Sequence, residues 1–395
     1  MKFSKRTGWN TEESELARAH RERLAQGLPV ADLTASNPTR CGFEYHADLL
    51  VPLSDPAALD YDPAPQGSLR AREAVCRYYA DHGVRADPEQ VILTTSTSEA
   101  YGYLFKLLCD PGDAILAPQP SYPLFDFLAD AEVVKLRHAP LVYDHGWQLD
   151  LEGLRRQITP ETHALVLVHP NNPTGHFTKA HEARELAAIC REHGLALIVD
   201  EVFLDYGAWA DASVCFSFAG LELDALTFVV SGISKIAGLP QMKAAWLLAA
   251  GPGSKEALAR LEVLADTYLS MNAPVQRALP FWLEKRNVIQ EQIRARTAGN
   301  LAELDRALAG QAECRWVTRL EVEGGWYAVL RIPATQPDEE TVRGLLEAGV
   351  WVHPGYFFGM RESGWLVVSL LTPAEEFSRG IALVLGHFRE TQRGN

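Results

Sequence analysis

Four apolar runs of the sequence each end in polar residues that could do chemistry. The segments that follow these runs are STSEA (96–100), HPNNPTG (169–175), DEVF (200–203) and SGISK (231–235). In an open parallel sheet, ligands bind beyond the carboxyl ends of the strands. If the runs are neighbouring strands, these segments should meet at one edge of the sheet.

The first two segments offer neutral polar groups. Ser96, Thr97 and Ser98 enter a predicted helix, where hydroxyls and backbone N–H groups can bind an anion. Taken alone, such residues more often serve only as a helix cap. Two prolines and a glycine restrict the next loop, which leaves Asn172 as a presented amide.

The other two segments offer charged groups. Asp200 directly follows an apolar run, and a buried carboxylate is costly unless it meets a cation or a hydrogen-bond donor. Lys235 follows small residues at a strand end, where its amine could be partly desolvated and its pKa lowered. A single lysine is more often a solvated surface residue. Together, however, an amine, a carboxylate, an amide and an anion site match the needs of pyridoxal 5'-phosphate.

The elements that must position these segments alternate between helix and strand from about residue 66. The predicted apolar strands are 91–95, 114–117, 164–168, 195–199, 228–231 and 245–249. Short, wholly apolar strands separated by helices predict a mainly parallel sheet that is covered on both faces, in the doubly wound α/β class. From about residue 276, a long charged helix at 283–309 and several strands predict a smaller α+β domain. We therefore predict a large domain at 46–275, and a small domain formed by 276–395 together with the N-terminal arm at 1–45.

Composition excludes several other classes of protein. The 395 residues carry a formal net charge of −14, which disfavours binding to nucleic acids and to anionic membranes. The six cysteines, which include Cys314, form no CxxC pair, so no metal site is predicted and free thiols are expected. No apolar run is long enough for a membrane span and no secretory signal is visible, so a cytoplasmic location is expected.

HPNNPTG, DEVF and SGISK, in this order and spacing, resemble the class I and II aminotransferases, which are pyridoxal-phosphate enzymes of fold type I. The resemblance runs from Tyr61 to the strand at 365–371. It implies a large cofactor-binding domain with a mainly parallel central sheet and a smaller α+β domain. It also implies transfer of an amino group from an amino acid to a 2-oxo acid, with neutral, apolar or aromatic substrates.

The resemblance assigns catalytic roles to individual residues. Lys235 would form the internal aldimine with the cofactor and later carry the proton between Cα and C4′. Asp200 would pair with the pyridinium nitrogen, and Asn172 would bind O3′. Tyr122 in QPSYPLF would stack on the ring.

The resemblance also implies a phosphate site and an assembly. Ser96, Thr97, Ser98 and Ser234 match the phosphate-binding residues. Tyr61 matches a tyrosine that reaches the phosphate of the neighbouring subunit, which implies a homodimer with active sites at the interface.

Three positions depart from the family pattern. Phe203 stands where many relatives have a tyrosine that donates to O3′. Lys243 replaces the usual phosphate-binding arginine and keeps its charge without the bidentate fork. Val367 replaces the arginine that binds the α-carboxylate of the substrate. Arg40 is the preferred substitute for that arginine, and Arg361 is the second choice.

The aromatic residues of the small domain suggest an apolar substrate pocket, although core packing explains most aromatic residues equally well. With Arg40, the predicted substrate-binding residues are Asn172, Trp326 and Tyr356. A C–S β-lyase that uses the same lysine and aspartate is the main alternative function. A non-catalytic module is less consistent with the sequence, because Lys235, Asp200 and Asn172 are all present.

Overall fold

The structure is a computed structural model that describes residues 2–207, 209–310 and 316–393. Cys314 lies outside the described residues. Cys41, Cys76, Cys109, Cys190 and Cys215 are free thiols.

The described residues form two sheets and a separate two-stranded ladder. The strands are β1 (Ala31–Asp32), β2 (Val91–Thr94), β3 (Ala114–Gln119), β4 (Lys135–Tyr143), β5 (Trp147–Leu149), β6 (Thr162–Val168), β7 (Ala196–Asp200), β8 (Thr227–Gly232), β9 (Ala245–Ala250), β10 (Thr318–Arg319), β11 (Tyr327–Arg331), β12 (Val350–Trp351), β13 (His353–Pro354) and β14 (Trp365–Ser369). The α-helices are α1 (Glu15–Ala25), α2 (Leu69–Asp81), α3 (Thr97–Leu108), α4 (Leu124–Glu132), α5 (Leu151–Gln157), α6 (Ala180–His193), α7 (Ile233–Ile236), α8 (Ser254–Tyr268), α9 (Ala273–Ala309), α10 (Asp338–Glu347) and α11 (Ala374–Arg393).

The larger sheet has eight strands in the order β2-β9-β8-β7-β6-β3-β4-β5. Strands β4, β3, β6, β7 and β8 run parallel, which confirms the predicted α/β class with a mainly parallel sheet. Strand β9, by contrast, runs antiparallel to both of its neighbours. The reason is that the chain returns from β8 through the four-residue helix α7, without a helix that crosses a face of the sheet.

Both faces of this sheet are buried. Alternate residues of the central strands enter two separate apolar clusters, with Leu165 and Leu197 in one, and Val166 and Ile198 in the other. This alternation is the two-residue period of a strand whose faces are both covered. It explains why the strands are apolar throughout.

The smaller sheet is antiparallel, in the order β10-β11-β14-β13. The N-terminal segment joins this part of the molecule, since β1 pairs with β12 and Leu16 of α1 enters the same apolar cluster as Val350. The domain division at residues 46 and 276 stays a prediction.

Helix α9 is longer than the predicted helix at 283–309. Asn272 caps its start by accepting a hydrogen bond from Val275 N, with a proline in the first turn. The helix also continues through Pro280, a residue that lacks an N–H and usually breaks a helix. No helix among the described residues is long and apolar enough to cross a membrane.

Candidate active site

A cavity of about 280 Å³ lies where β6, β7 and β8 end. Most of the polar residues that the sequence analysis identifies as candidates line this cavity. The predicted site residues that line it are Ser96, Thr97, Ser98, Tyr122, Asn172, Asp200, Phe203, Ser234, Lys235 and Lys243.

Asp200 is the buried acid of this cavity. As the last residue of β7, it accepts hydrogen bonds from Val202 N at Oδ1 and from Tyr101 Oη at Oδ2, both at 3.0 Å. Burial raises the pKa of Asp200 to about 6, while the two hydrogen bonds and the charge of Lys235 oppose that rise. The carboxylate is therefore held in one orientation, and it forms no ion pair within the described residues.

Lys235 lies in α7, directly after β8. Desolvation lowers the pKa of its amine, and the charge of Asp200 partly offsets that effect. The amine Nζ lies 5.1 Å from the ring centroid of Trp326 and 5.9 Å from that of Phe203. The backbone of Lys235 is fixed by Tyr206, whose hydroxyl donates to the Lys235 carbonyl at 2.7 Å.

The hydroxyl cluster lies at the N-terminus of α3. Ser96 is the N-cap residue, and its hydroxyl accepts a hydrogen bond from Glu99 N. Ser96, Thr97 and Ser98 all line the cavity, so the positive end of the helix dipole points toward it. Lys243 lines the same cavity from a left-handed backbone conformation with φ of 53°, which is uncommon for a residue other than glycine.

The loop that carries Asn172 is held by buried hydrogen bonds. His169 donates from Nε2 to the Phe216 carbonyl and accepts from Thr178 N at Nδ1, and burial lowers its pKa to about 3, so the ring is neutral. Asn171 Nδ2 donates to the hydroxyl of Thr174 at 2.8 Å. Asn172 Oδ1, by contrast, is buried without a hydrogen-bond partner in the described part of the chain.

Tyr122 connects this cavity to a second one. The second cavity, of about 120 Å³, is lined by Tyr122, His138 and Tyr356 among others. Tyr122 is 42% exposed, so its ring is available to a ligand. Ser121 N donates to the Phe358 carbonyl at 3.0 Å, which ties the segment of Tyr122 to the segment of Tyr356.

The remaining predicted residues do not line the main cavity. Arg40 is exposed in a short turn, although Ser36 of the same loop does line the cavity. Trp326 is buried, with its ring facing the Lys235 amine. Tyr61 is 81% exposed and lines a separate groove. Val367, the position of the missing arginine, is fully buried and pairs with Val329 in the small sheet.

Two groups of residues that help to form the site were not identified from the sequence. Tyr101 lies on the buried side of α3, and a buried tyrosine hydroxyl needs a hydrogen-bond partner, but the sequence does not name Asp200 as that partner. Ser36 and Tyr327 line the cavity from segments far apart in the chain. They come together because the N-terminal segment packs along β14, where Ser369 N donates to the Leu33 carbonyl and Ser369 pairs with Tyr327.

A family profile described as aminotransferase class I and II matches residues 58–381. The chain belongs to this family. The fold agrees, since a crystal structure of an aminotransferase from Escherichia coli superposes with a TM-score of 0.84 and 25% identity, covering 100% of this chain and 98% of that one. The structure of an alanine aminotransferase from Pyrococcus furiosus also gives a TM-score of 0.84, at 23% identity. Members of the family depend on pyridoxal phosphate.

Two named relatives show how much sequence is shared. The glutamate-pyruvate aminotransferase AlaA of Escherichia coli is 31% identical over 259 residues, which cover 64% of this chain and 63% of that protein. The match therefore spans less than two thirds of that relative's length. The alanine aminotransferase of Mycobacterium tuberculosis is 31% identical over 341 residues, which cover 83% of this chain and 78% of that protein.

Proposed function

We propose that this member of the family is a pyridoxal-phosphate-dependent aminotransferase that moves an amino group from an amino acid to a 2-oxo acid. The observation that carries the proposal is the meeting of Lys235, Asp200 and Asn172 around one cavity of about 280 Å³. The names of the relatives support the transferase rather than the C–S lyase, since those reported above are aminotransferases.

The residues around the cavity fit the cofactor. Asn172 Oδ1 is buried and unpartnered within the described residues, so the amide has unused capacity for hydrogen bonding in the cavity. Asp200 offers a buried carboxylate to a ring nitrogen, and Ser96 heads a helix N-terminus suited to a phosphate. When bound, the cofactor supplies an aldehyde that combines with an amine and a ring that withdraws electrons from the α-carbon of the substrate.

The chain itself would move the proton. A lysine amine that is partly desolvated is neutral at a lower pH than a free one, so Lys235 Nζ can accept a proton from the substrate α-carbon and return it. The Asp200 carboxylate would keep a positive charge on the ring nitrogen. Tyr101 and the backbone of Val202 hold that carboxylate in place.

Other residues would bind rather than react. Ser96, Thr97, Ser98, Ser234 and Lys243 would bind the phosphate, because they provide hydroxyls, a helix N-terminus and a positive charge. Tyr122 would stack on the ring.

The substrate carboxylate needs a cation that Val367 cannot provide. We assign this role to Arg40, whose guanidinium makes no hydrogen bond or ion pair to the described residues and whose loop contributes Ser36 to the cavity. Arg361 is the second candidate, and its Nε donates to Gln119 Oε1 at 3.2 Å. Glutamate, alanine and pyruvate are the first substrates to test, because the relatives' names contain them.

A homodimer is part of the proposal. Leu59, Tyr61 and Leu269 are 89%, 81% and 38% exposed, and all three line one groove of about 360 Å³. Exposed apolar residues gathered in one patch are typical of an interaction surface. The homodimer would cover this groove and bring Tyr61 to the phosphate of the partner subunit. The cytoplasmic location stays a prediction.

The decisive experiment separates transfer from elimination. The purified protein with bound cofactor is mixed with an amino acid in the absence of any 2-oxo acid. A transaminase stops after one amino group per site and leaves the amino form of the cofactor. The absorption spectrum of this form differs from that of the aldehyde form attached to the lysine. Continuous release of ammonia and pyruvate would instead identify an eliminating enzyme.

A further inference from the structure

Two aromatic rings face the amine of Lys235. Nζ lies 5.1 Å from the ring centroid of Trp326 and 5.9 Å from that of Phe203. The rings meet edge to face, with centroids 5.2 Å apart and planes at 78°. We propose that this aromatic pair holds the free Lys235 ammonium by cation–π attraction and so sets the pH at which the amine becomes neutral. Phe203 and Trp326 are thus positioning residues that act through Lys235.

The choice of tryptophan supports this role. Trp326 is only 1% exposed, and its indole N–H has no hydrogen-bond partner among the described residues. An unsatisfied buried donor is unfavourable, and phenylalanine at this position would avoid it. Tryptophan is the aromatic residue that attracts a cation most strongly. Attraction of the Lys235 ammonium to the face of the indole ring therefore explains why tryptophan occupies this position.

Trp326 is held in place by backbone hydrogen bonds at its own carbonyl and at the preceding residue. Gly325 N donates to the Tyr206 carbonyl at 2.9 Å, and Leu370 N donates to the Trp326 carbonyl at 2.8 Å. The Tyr206 ring lies 5.1 Å from the Trp326 ring, and its hydroxyl donates to the Lys235 carbonyl at 2.7 Å. Tyr206 therefore links the backbone of Lys235 to the Trp326 ring that lies near the Lys235 amine.

The electrostatic balance at Nζ shows what the rings add. Desolvation lowers the pKa of Lys235 and the Asp200 carboxylate raises it. Lys243 and the phenols of Tyr122 and Tyr327 line the same cavity. The aromatic pair adds to the effect of Asp200 without an ionic bond, so the amine can leave the rings when it reacts. This inference rests on the proposed function only in taking Lys235 as the reactive amine.

The test measures the amine rather than turnover. The full chain, dialysed free of cofactor, is labelled with trace acetic anhydride between pH 6 and 11, and acetylation at Lys235 is quantified by mass spectrometry. Only the neutral amine reacts, so the midpoint of the profile is the pKa. Trp326→Leu should lower that midpoint by about 0.5 to 1.5 pH units, and Trp326→Phe should lower it by less. Lys243 in the same digest is the internal reference and should not shift.

Further variants keep the result interpretable. Phe203→Leu should lower the midpoint as well, and it serves if Trp326→Leu does not fold. Trp282→Leu removes an equally buried ring whose indole N–H donates to the Leu49 carbonyl, and it should leave the midpoint unchanged. An unchanged Lys235 midpoint in both Trp326→Leu and Phe203→Leu, or an equal shift at Lys243, would overturn the inference. Failure of the proposed function would show differently, as turnover retained by Lys235→Ala.

Discussion

The hydroxyl of Tyr101 donates a hydrogen bond to Asp200 Oδ2 across 3.0 Å, and both side chains are buried. The bond joins helix α3, whose N-terminus carries the hydroxyl cluster, to the end of strand β7. Asp200 is thereby oriented by the same helix that we propose for phosphate binding. Among the described residues, Val202 N is the one other donor to this carboxylate, so the buried acid depends strongly on each of the two hydrogen bonds.

Tyr101→Phe should therefore impair catalysis while leaving the fold intact. Losing a hydrogen bond to a charged group should lower kcat/KM by about tenfold or more. The hydroxyl also lowers the pKa of Asp200, which is about 6 in the cofactor-free chain, so its loss should raise that pKa, as NMR titration of the cofactor-free protein would measure. Tyr103→Phe on the same helix is the control and should leave the pKa of Asp200 in place. An unchanged pKa of Asp200 in Tyr101→Phe would contradict the role.

Two lysines of the cavity should behave differently when each is changed to alanine. Lys235→Ala should abolish turnover and covalent attachment of the cofactor, because the amine itself reacts. Lys243→Ala should keep the covalent attachment but weaken cofactor affinity about ten- to a hundredfold, the value of a charged hydrogen bond. Absorption spectra and equilibrium dialysis distinguish the two outcomes. Covalent attachment in Lys235→Ala would show that the assignment of the reactive amine is wrong.

Tyr61 should matter to cofactor binding only through the assembly. Tyr61→Phe should weaken cofactor affinity about three- to tenfold without changing the oligomeric state, since it loses one hydrogen bond and keeps the ring. Tyr268→Phe, another exposed tyrosine, is the matched control. Sedimentation measures assembly, and dilution to monomers should reduce cofactor retention. A monomer that retains full activity would exclude the shared site.

Arg40 should be needed only for substrates that carry a carboxylate. If the Arg40 guanidinium forms a bidentate pair with the substrate carboxylate, Arg40→Ala should lower kcat/KM for amino acids about ten- to a hundredfold. Arg40→Lys should recover part of that loss, because lysine cannot form the fork. Turnover of a simple amine should change little.

Arg361→Ala is the companion variant for Arg40, since Arg361 is the second candidate for the carboxylate. If Arg361→Ala shows the selective loss and Arg40→Ala does not, the carboxylate is bound by Arg361. Equal losses for amino acids and simple amines in Arg40→Ala would mean that Arg40 is structural.

Glu201 should make stability depend on pH. This residue follows Asp200 in the chain, and its buried carboxyl group accepts hydrogen bonds from Ser217 Oγ and Phe218 N. Burial raises the pKa of Glu201 to about 7. Because the pKa is higher in the folded state, its stabilising contribution is complete below about pH 4.5 and is lost as the pH rises through about 7.

Urea unfolding of the wild type and of Glu201→Gln measures this contribution. Between pH 5 and 8, the free energy of unfolding of the wild type should fall relative to that of Glu201→Gln by about 1–3 kcal/mol. Glu192→Gln, which loses an exposed ion pair with Arg155, should show no such trend. A pH-independent difference for Glu201→Gln would mean that the carboxyl does not titrate in this range.

The sequence by itself determined the family, the fold class and most of the residues of the cavity. Apolar strands that each end in a polar segment place Asn172, Asp200 and Lys235 at the same edge of a parallel sheet, because parallel strands end on the same side. The helix that begins at Thr97 was likewise predictable from the hydroxyl residues at its start.

Only the tertiary structure decided which residues complete the site. Tyr101 reaches Asp200, and Trp326 reaches Lys235, across 99 and about 90 positions of the chain respectively. Trp326 is buried against the lysine, so its predicted contact with substrate stays a prediction, and β9 runs antiparallel to both of its neighbours. Such contacts depend on how elements distant in sequence pack together, and local patterns of residue type contain no information on that packing.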